Sequence, residues 1–292
     1  MAGVIVALFR GAPGLWCLAG LGAFVLCADA SLRRERAFVL SFALFSCAAV
    51  WPGWRAHYFI QLLPAAGLLA AAAFRWFSGL LTRYRFSRPL AALPALVFAV
   101  AGLSLLVRWN DLYFRLTPAE ASRAVYQTNP FPEAVEVGNY LAAHCPPGQR
   151  IAVLGSEPEI YFYSRRLAVT GYICTYTLME PQPYAAAMQT EMIRQIEQGE
   201  PEYVVFVHVA ASWLQYSDSN PMILKWFGKY QRTHLQLAGL VEIYPDAPTQ
   251  YHWFDGNVTD VKTDAPDWLA IFRMRPKEAD VPHDAAPQSK PN

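Results

Sequence analysis

The chain has 292 residues, of which 54% are hydrophobic and 16% charged, and its formal net charge is +1. Soluble globular chains carry about 25% charged residues, and the deficit here is concentrated in residues 11–106. No basic face is built up in the remainder, so nucleic acid is not an expected partner. The five cysteines lack C-x-x-C spacing, so we expect no metal and no cofactor, while a Cys145–Cys174 disulfide stays open.

Four apolar runs fill the first third of the chain. A membrane span needs roughly 20 apolar residues, which the third and fourth runs satisfy and the second barely approaches. We therefore predict a membrane α-helical bundle of about four transmembrane helices over residues 1–109. The four runs cover residues 12–28, 37–51, 58–77 and 89–107.

The arginines between these runs predict an orientation. Positive charge collects in cytoplasmic turns, which places the remainder of the chain outside the cytoplasm of an integral plasma or inner membrane protein. The arginines of the two rich turns are Arg33, Arg34 and Arg36, then Arg75, Arg83, Arg85 and Arg88.

Helical and strand patterns alternate over residues 110–275. Such alternation is typical of a sheet with helices on its faces, so we predict a small extracytoplasmic α/β domain with a mostly parallel sheet. The apolar run 203–209 is the predicted central strand, with His208 interpreted as a core histidine. The polar tail 276–292 is predicted to be disordered. The other predicted strands are 151–154, 167–173, 240–244 and 268–274, and the predicted helices are 132–143, 156–163, 183–198 and 222–231.

Polar residues open the third apolar run. Arg55, His57, Tyr58 and Gln61 stand at the expected outer surface, and His57 and Gln61, four residues apart, can face the bundle interior. Polar groups at membrane depth usually mark a substrate path, and a cation beside an apolar slot would suit a lipid-linked phosphate. The other interpretation is that Arg55 and Tyr58 anchor the helix at the interface.

A second candidate site follows the first predicted strand of the α/β domain. Ligands in open α/β sheets gather at the carboxyl ends of strands, which makes Glu157 and Glu159 a candidate ligand loop. Glu159, three residues after Ser156, is also explained as part of a capping box. The sequence contains no G-x-G-x-x-G and no P-loop, so nucleotide binding has no support.

Several segments together resemble bacterial membrane glycosyltransferases of the GT-C type, called family 39, which are relatives of protein O-mannosyltransferases and the lipid A aminoarabinose transferase. The resemblance covers about residues 55–209. It implies many membrane helices before a small extracytoplasmic domain, a polyprenyl-phosphate sugar donor, and an acidic catalytic residue in the first outer loop. The segments are residues 55–64, 129–133, 153–164 and 170–172.

The chain departs from that family because its outer loops between the apolar runs contain no Asp or Glu. General base catalysis needs a positioned proton acceptor, so no catalytic residue is carried over. The start of the chain within an apolar region looks like an internal piece of a larger protein. We therefore predict the C-terminal portion of a glycosyltransferase, inactive alone, with membrane polyprenyl phosphate and the missing N-terminal part as partners. The alternative is a non-catalytic, membrane-anchored binding or assembly module.

Overall fold

The computed structural model describes residues 2–50, 56–84, 88–258 and 261–276. The chain divides into two compact units, Met1–Leu116 and Thr117–Asn292. Several predicted features lie outside the described residues. They are Arg55, Arg85, the polar tail from residue 277 onward, the end of the second predicted span at residue 51, and the loop residues 52–54.

The first unit is helical. Its longer helices are separated by a 3-10 turn at Ala30–Leu32 and a 3-10 segment at Ala56–Leu62, and the unit ends with a π-helical turn at Asp111–Arg115. The α-helices are α1 (Ala2–Gly11), α2 (Pro13–Ala28), α3 (Arg33–Val50), α4 (Leu63–Arg83), α5 (Arg88–Ala91) and α6 (Leu93–Arg108).

The predicted bundle of about four membrane spans is wrong. Among the described residues, only the helix His57–Arg83 is long and apolar enough to cross a membrane. A second span exists only if Pro13–Ala28 and Ala30–Val50, which meet at 93°, count as one broken span. The cause is helix length: α2 and α6 have 16 residues each, or about 24 Å, against a hydrocarbon core of about 30 Å.

Small residues hold α2 against α4. Ala66, Ala70 and Ala73 lie on the buried side of α4, and Gly22 of α2 sits against the backbone of Leu69, where a Cβ would overlap the carbonyl group. Such close backbone approach through small residues is the usual packing mode of helices in membranes.

Described residues of the two arginine-rich segments contact each other in this unit. The Arg75 guanidinium forms an ion pair with Glu35 at 2.6 Å, and Arg36 donates through Nε to the Leu26 carbonyl at 2.6 Å. The second contact satisfies a carbonyl at the end of α2 that the helix itself leaves unpaired.

The second unit is a six-stranded sheet with helices on both faces. Its helices are α7 (Pro118–Tyr126), α8 (Phe131–His144), α9 (Glu159–Ser164), α10 (Tyr176–Met179), α11 (Ala185–Gly199), α12 (Ala210–Trp213) and α13 (Met222–His234). Its strands are β1 (Arg150–Leu154), β2 (Leu167–Ala168), β3 (Tyr203–His208), β4 (Leu235–Ile243), β5 (Gln250–Val258) and β6 (Asp267–Met274).

The prediction of a mostly parallel sheet is also wrong. The strand order is β2-β1-β3-β6-β4-β5, and the sheet is mixed, with β1 parallel to β2 and β3 but every pairing of β4, β5 and β6 antiparallel. The four strands joined through helices, β1 to β4, do share one direction, as helix–strand alternation predicts. However, β6 inserts between β3 and β4, and β5 forms a hairpin with β4, so the antiparallel pairings prevail.

Each face of the sheet carries its own core. Val204 and Phe272 pack with Met192 of α11 and Phe227 of α13 on one face. Val205 packs with residues of α8 on the other. Alternate residues of β3 therefore point to opposite faces, and both are covered.

The outer edge of β1 is closed by a tyrosine. Strand β2 has two residues and pairs only with Arg150 and Ile151. Farther along, the Val153 N–H donates to the Tyr161 hydroxyl at 2.8 Å, and burial raises the pKa of Tyr161. A side chain thus replaces the missing strand, since a buried N–H needs a partner.

Candidate functional site

Polar side chains from three segments meet at the carboxyl end of β1. Ser212 lies in α12, the helix that follows β3. Its hydroxyl accepts a hydrogen bond from the Ser156 N–H at 2.9 Å and donates one to Glu157 Oε2 at 2.8 Å. The Ser156 hydroxyl in turn accepts from the Thr175 N–H at 2.9 Å. Because β1 and β3 are adjacent and parallel, the segments after them emerge at the same sheet edge.

Gly155 makes room for this network. A Cβ at this position would stand 2.7 Å from Ser212 Oγ and 2.8 Å from Val207 Cβ, closer than real Cβ atoms approach their neighbours. Close packing therefore explains the glycine at this position. The absence of a Cβ leaves the space that the Glu157 carboxylate occupies.

Glu157 is a buried acid that keeps its proton near neutral pH. The side chain is 1% exposed, and this burial raises its pKa to about 8, opposed by the Ser212 hydrogen bond and helped by the charge of Glu159. At pH 7 the carboxyl group is therefore mainly neutral, which suits a hydrogen-bonding role.

Glu159 does not form the predicted capping box. Helix α9 begins at Glu159 with Pro158 as its N-cap and no side-chain cap, because the Ser156 hydroxyl is engaged with Thr175. Burial raises the pKa of Glu159, and its Oε1 atom has no hydrogen-bond partner among the described residues.

Glu133, the acidic residue of segment 129–133, makes buried contacts that hold neighbouring segments together. Glu133 is 1% exposed and forms an ion pair with Arg123, and the Thr249 hydroxyl donates to the same oxygen at 2.5 Å. The Oε1 atom of this carboxylate ties helices α7 and α8 to the loop before β5, whereas Oε2 is buried and has no hydrogen-bond partner among the described residues.

A cavity of about 780 Å³ opens beside the carboxyl end of β3. Its apolar side includes Phe206, Trp213 and Leu224. His208 also lines it, exposed and with its ring stacked on Trp268 at 4.7 Å between ring centroids. The interpretation of His208 as a core histidine is therefore wrong, because this last residue of β3 is exposed.

In the helical unit, the predicted phosphate residues begin the long apolar helix. His57 and Gln61 are both exposed, and the His57 ring meets Tyr58 edge-on at 4.4 Å. The segment is 3-10, with three residues per turn, so positions 57 and 61 are about 120° apart and do not share a face. Arg55 belongs to the segment outside the described residues.

An apolar cleft of about 260 Å³ begins immediately after these residues. It lies between helices of the same unit, and its walls carry almost no polar surface. Its lining comprises Phe9, Trp16, Ala19, Gly20, Ala23, Ala43, Cys47, Leu62, Ala65, Ala66 and Leu69.

No family model, curated protein or solved structure matches the chain. Within the part of the chain that the structure describes, no three His, Cys, Asp or Glu residues are grouped to hold a metal ion. Cys145 and Cys174 are both free thiols.

The sequence located one part of the site and missed another. The strand end before Glu157 was visible as an apolar run followed by Gly-Ser-Glu-Pro. Ser212 and Thr175 come from distant segments, and no local pattern marks them. The cavity has a weak signal, since His208 interrupts an otherwise apolar strand at its last position.

Proposed function

We propose that the chain is the C-terminal portion of a membrane glycosyltransferase and supplies the binding surface for a polyprenyl-phosphate-linked sugar. The observation that carries the proposal is the apolar cleft next to the polar start of helix His57–Arg83. The cleft suits an isoprenoid chain, and Arg55 and His57 suit its phosphate. The segment-by-segment resemblance to family 39 supplies the reaction class.

The exposed apolar surface of the helical unit supports attachment to a membrane. Phe24, Phe38 and Phe45 are 67% to 70% exposed, and large exposed apolar side chains of this number suit contact with lipid or with another protein. The shared location of the arginine-rich segments supports a cytoplasmic position for that end. We accordingly propose an extracytoplasmic location for the α/β unit, which requires α6 to return the chain across the membrane. A helix shorter than the bilayer core is accommodated by local thinning of the bilayer.

The second candidate is a non-catalytic, membrane-anchored binding or assembly module. One observation favours it: among the described residues that line the cleft, none is Asp or Glu. Turnover in the presence of an N-terminal catalytic part would separate the two candidates, since the module would keep the fold without the chemistry.

Binding of an undecaprenyl-phosphate analogue to the detergent-purified chain tests the proposal. A charged hydrogen bond to phosphate is worth about 1.5–3 kcal/mol, so Arg55→Ala should weaken binding about ten- to a hundredfold. Arg34→Ala, which removes an arginine of the segment 33–36, is the matched control. Equal affinities for the two variants would leave Arg55 as an interfacial anchor.

The cleft can be tested separately. A Cβ at Gly20 meets no atom within 4 Å, so Gly20→Leu should fill the cleft without disturbing the helices and weaken binding of the lipid. Gly102→Leu, on α6 and equally unobstructed, should bind normally. Full affinity in Gly20→Leu would exclude the cleft as the isoprenoid site. The purified chain with a polyprenyl-phosphate sugar should show no turnover, and transfer by the chain alone would contradict its assignment as a binding portion.

A further inference from the structure

The cavity at the carboxyl end of β3 belongs to the α/β unit and is not used by lipid-phosphate binding. Its volume of about 780 Å³ is within the range of small-molecule sites, which are about 300–1,000 Å³. Phe206, at its floor, is fixed by stacking on Phe227 at 4.5 Å. Trp213 is fixed by donating from Nε1 to the Val207 carbonyl at 2.7 Å. The apolar floor is therefore rigid before any ligand binds.

Three polar side chains border this floor: His208, Gln215 and Asp267. None of the three has a side-chain hydrogen bond to another described residue, and among the described residues the ring of His208 stacks on that of Trp268. Together they supply an acceptor-only carboxylate and two groups that can both donate and accept. Hydroxyl groups, which also donate and accept, match this set.

The lining also excludes an anionic ligand. Among the described residues around the cavity there is no Lys or Arg, the side chains that hold phosphates and carboxylates. Asp267 adds negative charge. A long hydrocarbon chain is disfavoured too, because the polar side chains would be covered without hydrogen bonds.

The backbone at the cavity wall is in a rare conformation. Leu214 has φ 47° and ψ 48°, in the left-handed region that residues other than glycine rarely adopt. This geometry ends α12 and turns the chain so that Leu214 and Gln215 both line the cavity. Backbone outliers of this kind concentrate at ligand sites.

We propose that this cavity binds a neutral saccharide, with a pyranose ring packed on the aromatic floor and its hydroxyls bonded to His208, Gln215 and Asp267. A pyranose presents C–H faces and a rim of hydroxyl groups, which is the combination of surfaces that the cavity offers. The inference stands apart from the proposed lipid-phosphate site: it uses a different unit and different residues, and either can fail alone.

Titration of the purified full chain with maltotriose, cellotriose and mannotriose tests the inference, with glucose 6-phosphate as the anionic comparison. Calorimetry and tryptophan fluorescence are the two readouts. We expect at least one neutral trisaccharide to bind with a Kd of about 1 mM or tighter. His208→Ala and Asp267→Asn should each weaken it about tenfold. Asp218→Asn, which alters an exposed carboxylate outside the cavity lining, should bind like the wild type.

Three results would overturn the inference. The first is the absence of binding by all three trisaccharides, and the second is unchanged affinity in both His208→Ala and Asp267→Asn. The third is tighter binding of glucose 6-phosphate than of any of the three neutral trisaccharides. His208 is exposed and Asn matches Asp in size, so both variants should keep the wild-type melting temperature. Arg55→Ala should leave saccharide binding unchanged, which separates this site from the lipid-phosphate site.

Discussion

The carboxyl group of Glu157 makes stability depend on pH. Its pKa rises from an ordinary 4.5 to about 8 on folding, so between these values the folded chain holds a proton that the unfolded chain releases. Stability therefore falls as pH rises through this interval, by at most about 1.4 kcal/mol per pH unit, and changes no further above it.

Glu157→Gln should remove this dependence. The variant and the wild type should differ least near pH 5, and the variant should be the more stable at pH 8, as measured by denaturant unfolding at both values. Glu136→Gln, which changes an exposed carboxylate on α8, is the control. Parallel stability curves for Glu157→Gln and the wild type would refute the raised pKa.

Arg165 offers a second test at a single residue. It ends α9 with φ 53° and ψ 37°, and its side chain is exposed. Glycine adopts this conformation without steric cost, so Arg165→Gly should raise the free energy of unfolding by about 0.5–1 kcal/mol. Arg165→Ala keeps the Cβ and should show no gain. An equal effect of the two variants would mean that the backbone conformation is not the cause.

At the residue scale, the sequence predicted the place of a side chain in the fold only where the signal was local. Glu157 follows an apolar strand, and that position was legible in the sequence. Its hydrogen-bond partner Ser212 lies 55 residues away, and the stacking of His208 on Trp268 depends on the pairing of β3 with β6. Neither contact has a local pattern, because both arise only when the sheet assembles.

At the scale of elements, the close contact between α2 and α4 depends on a glycine, Gly22. Gly22→Ala would place a Cβ against the Leu69 backbone, so it should lower the melting temperature of the detergent-solubilised chain. Gly67→Ala lies on α4 with nothing within 4 Å and should leave the melting temperature unchanged or raise it. Equal melting temperatures for Gly22→Ala and the wild type would mean that this contact does not stabilise the unit.

Helices and covered strands of the α/β unit were largely predictable, since periodicity reports burial. Helices were predicted over 132–143 and 222–231 and are observed at Phe131–His144 and Met222–His234. Strand β5 lies at the edge of the sheet and was missed because no run of buried residues marks it: Tyr251 is only partly buried and Trp253 is exposed. The strand predicted over 167–173 ends at Ala168, since Thr170 and Gly171 instead bond the Gln195 side chain.

For the whole molecule, the proposed location of the α/β unit can be tested with fusions after Met274. A phosphatase active only outside the cytoplasm should be active there, and a fluorescent protein that folds in the cytoplasm should stay dark. Fusions after Arg83, at the arginine-rich end, should give the opposite pattern. Cytoplasmic fluorescence after Met274 would overturn the proposed location. The outcome depends on α6, which must return the chain across the membrane although its length of about 24 Å is less than the bilayer core of about 30 Å.

The global errors share one physical origin. Runs of apolar residues indicate burial or lipid contact, but they do not indicate where a helix bends. For this reason an apolar stretch that is broken near Asp29 was predicted as two spans. Alternation of helices and strands reports connection type but not strand order. The insertion of β6 between β3 and β4 is decided by long-range pairing, which a single sequence does not display.

The tyrosine at the outer edge of β1 has a consequence for contacts between molecules. An open strand edge is a template on which another chain can add a strand and begin to aggregate. Here the edge offers a two-residue strand and then an N–H already taken by the Tyr161 hydroxyl. A neighbouring copy therefore finds too few free donors to extend the sheet at this side. At the membrane location proposed above, where copies of the domain would be crowded together, this protection matters most.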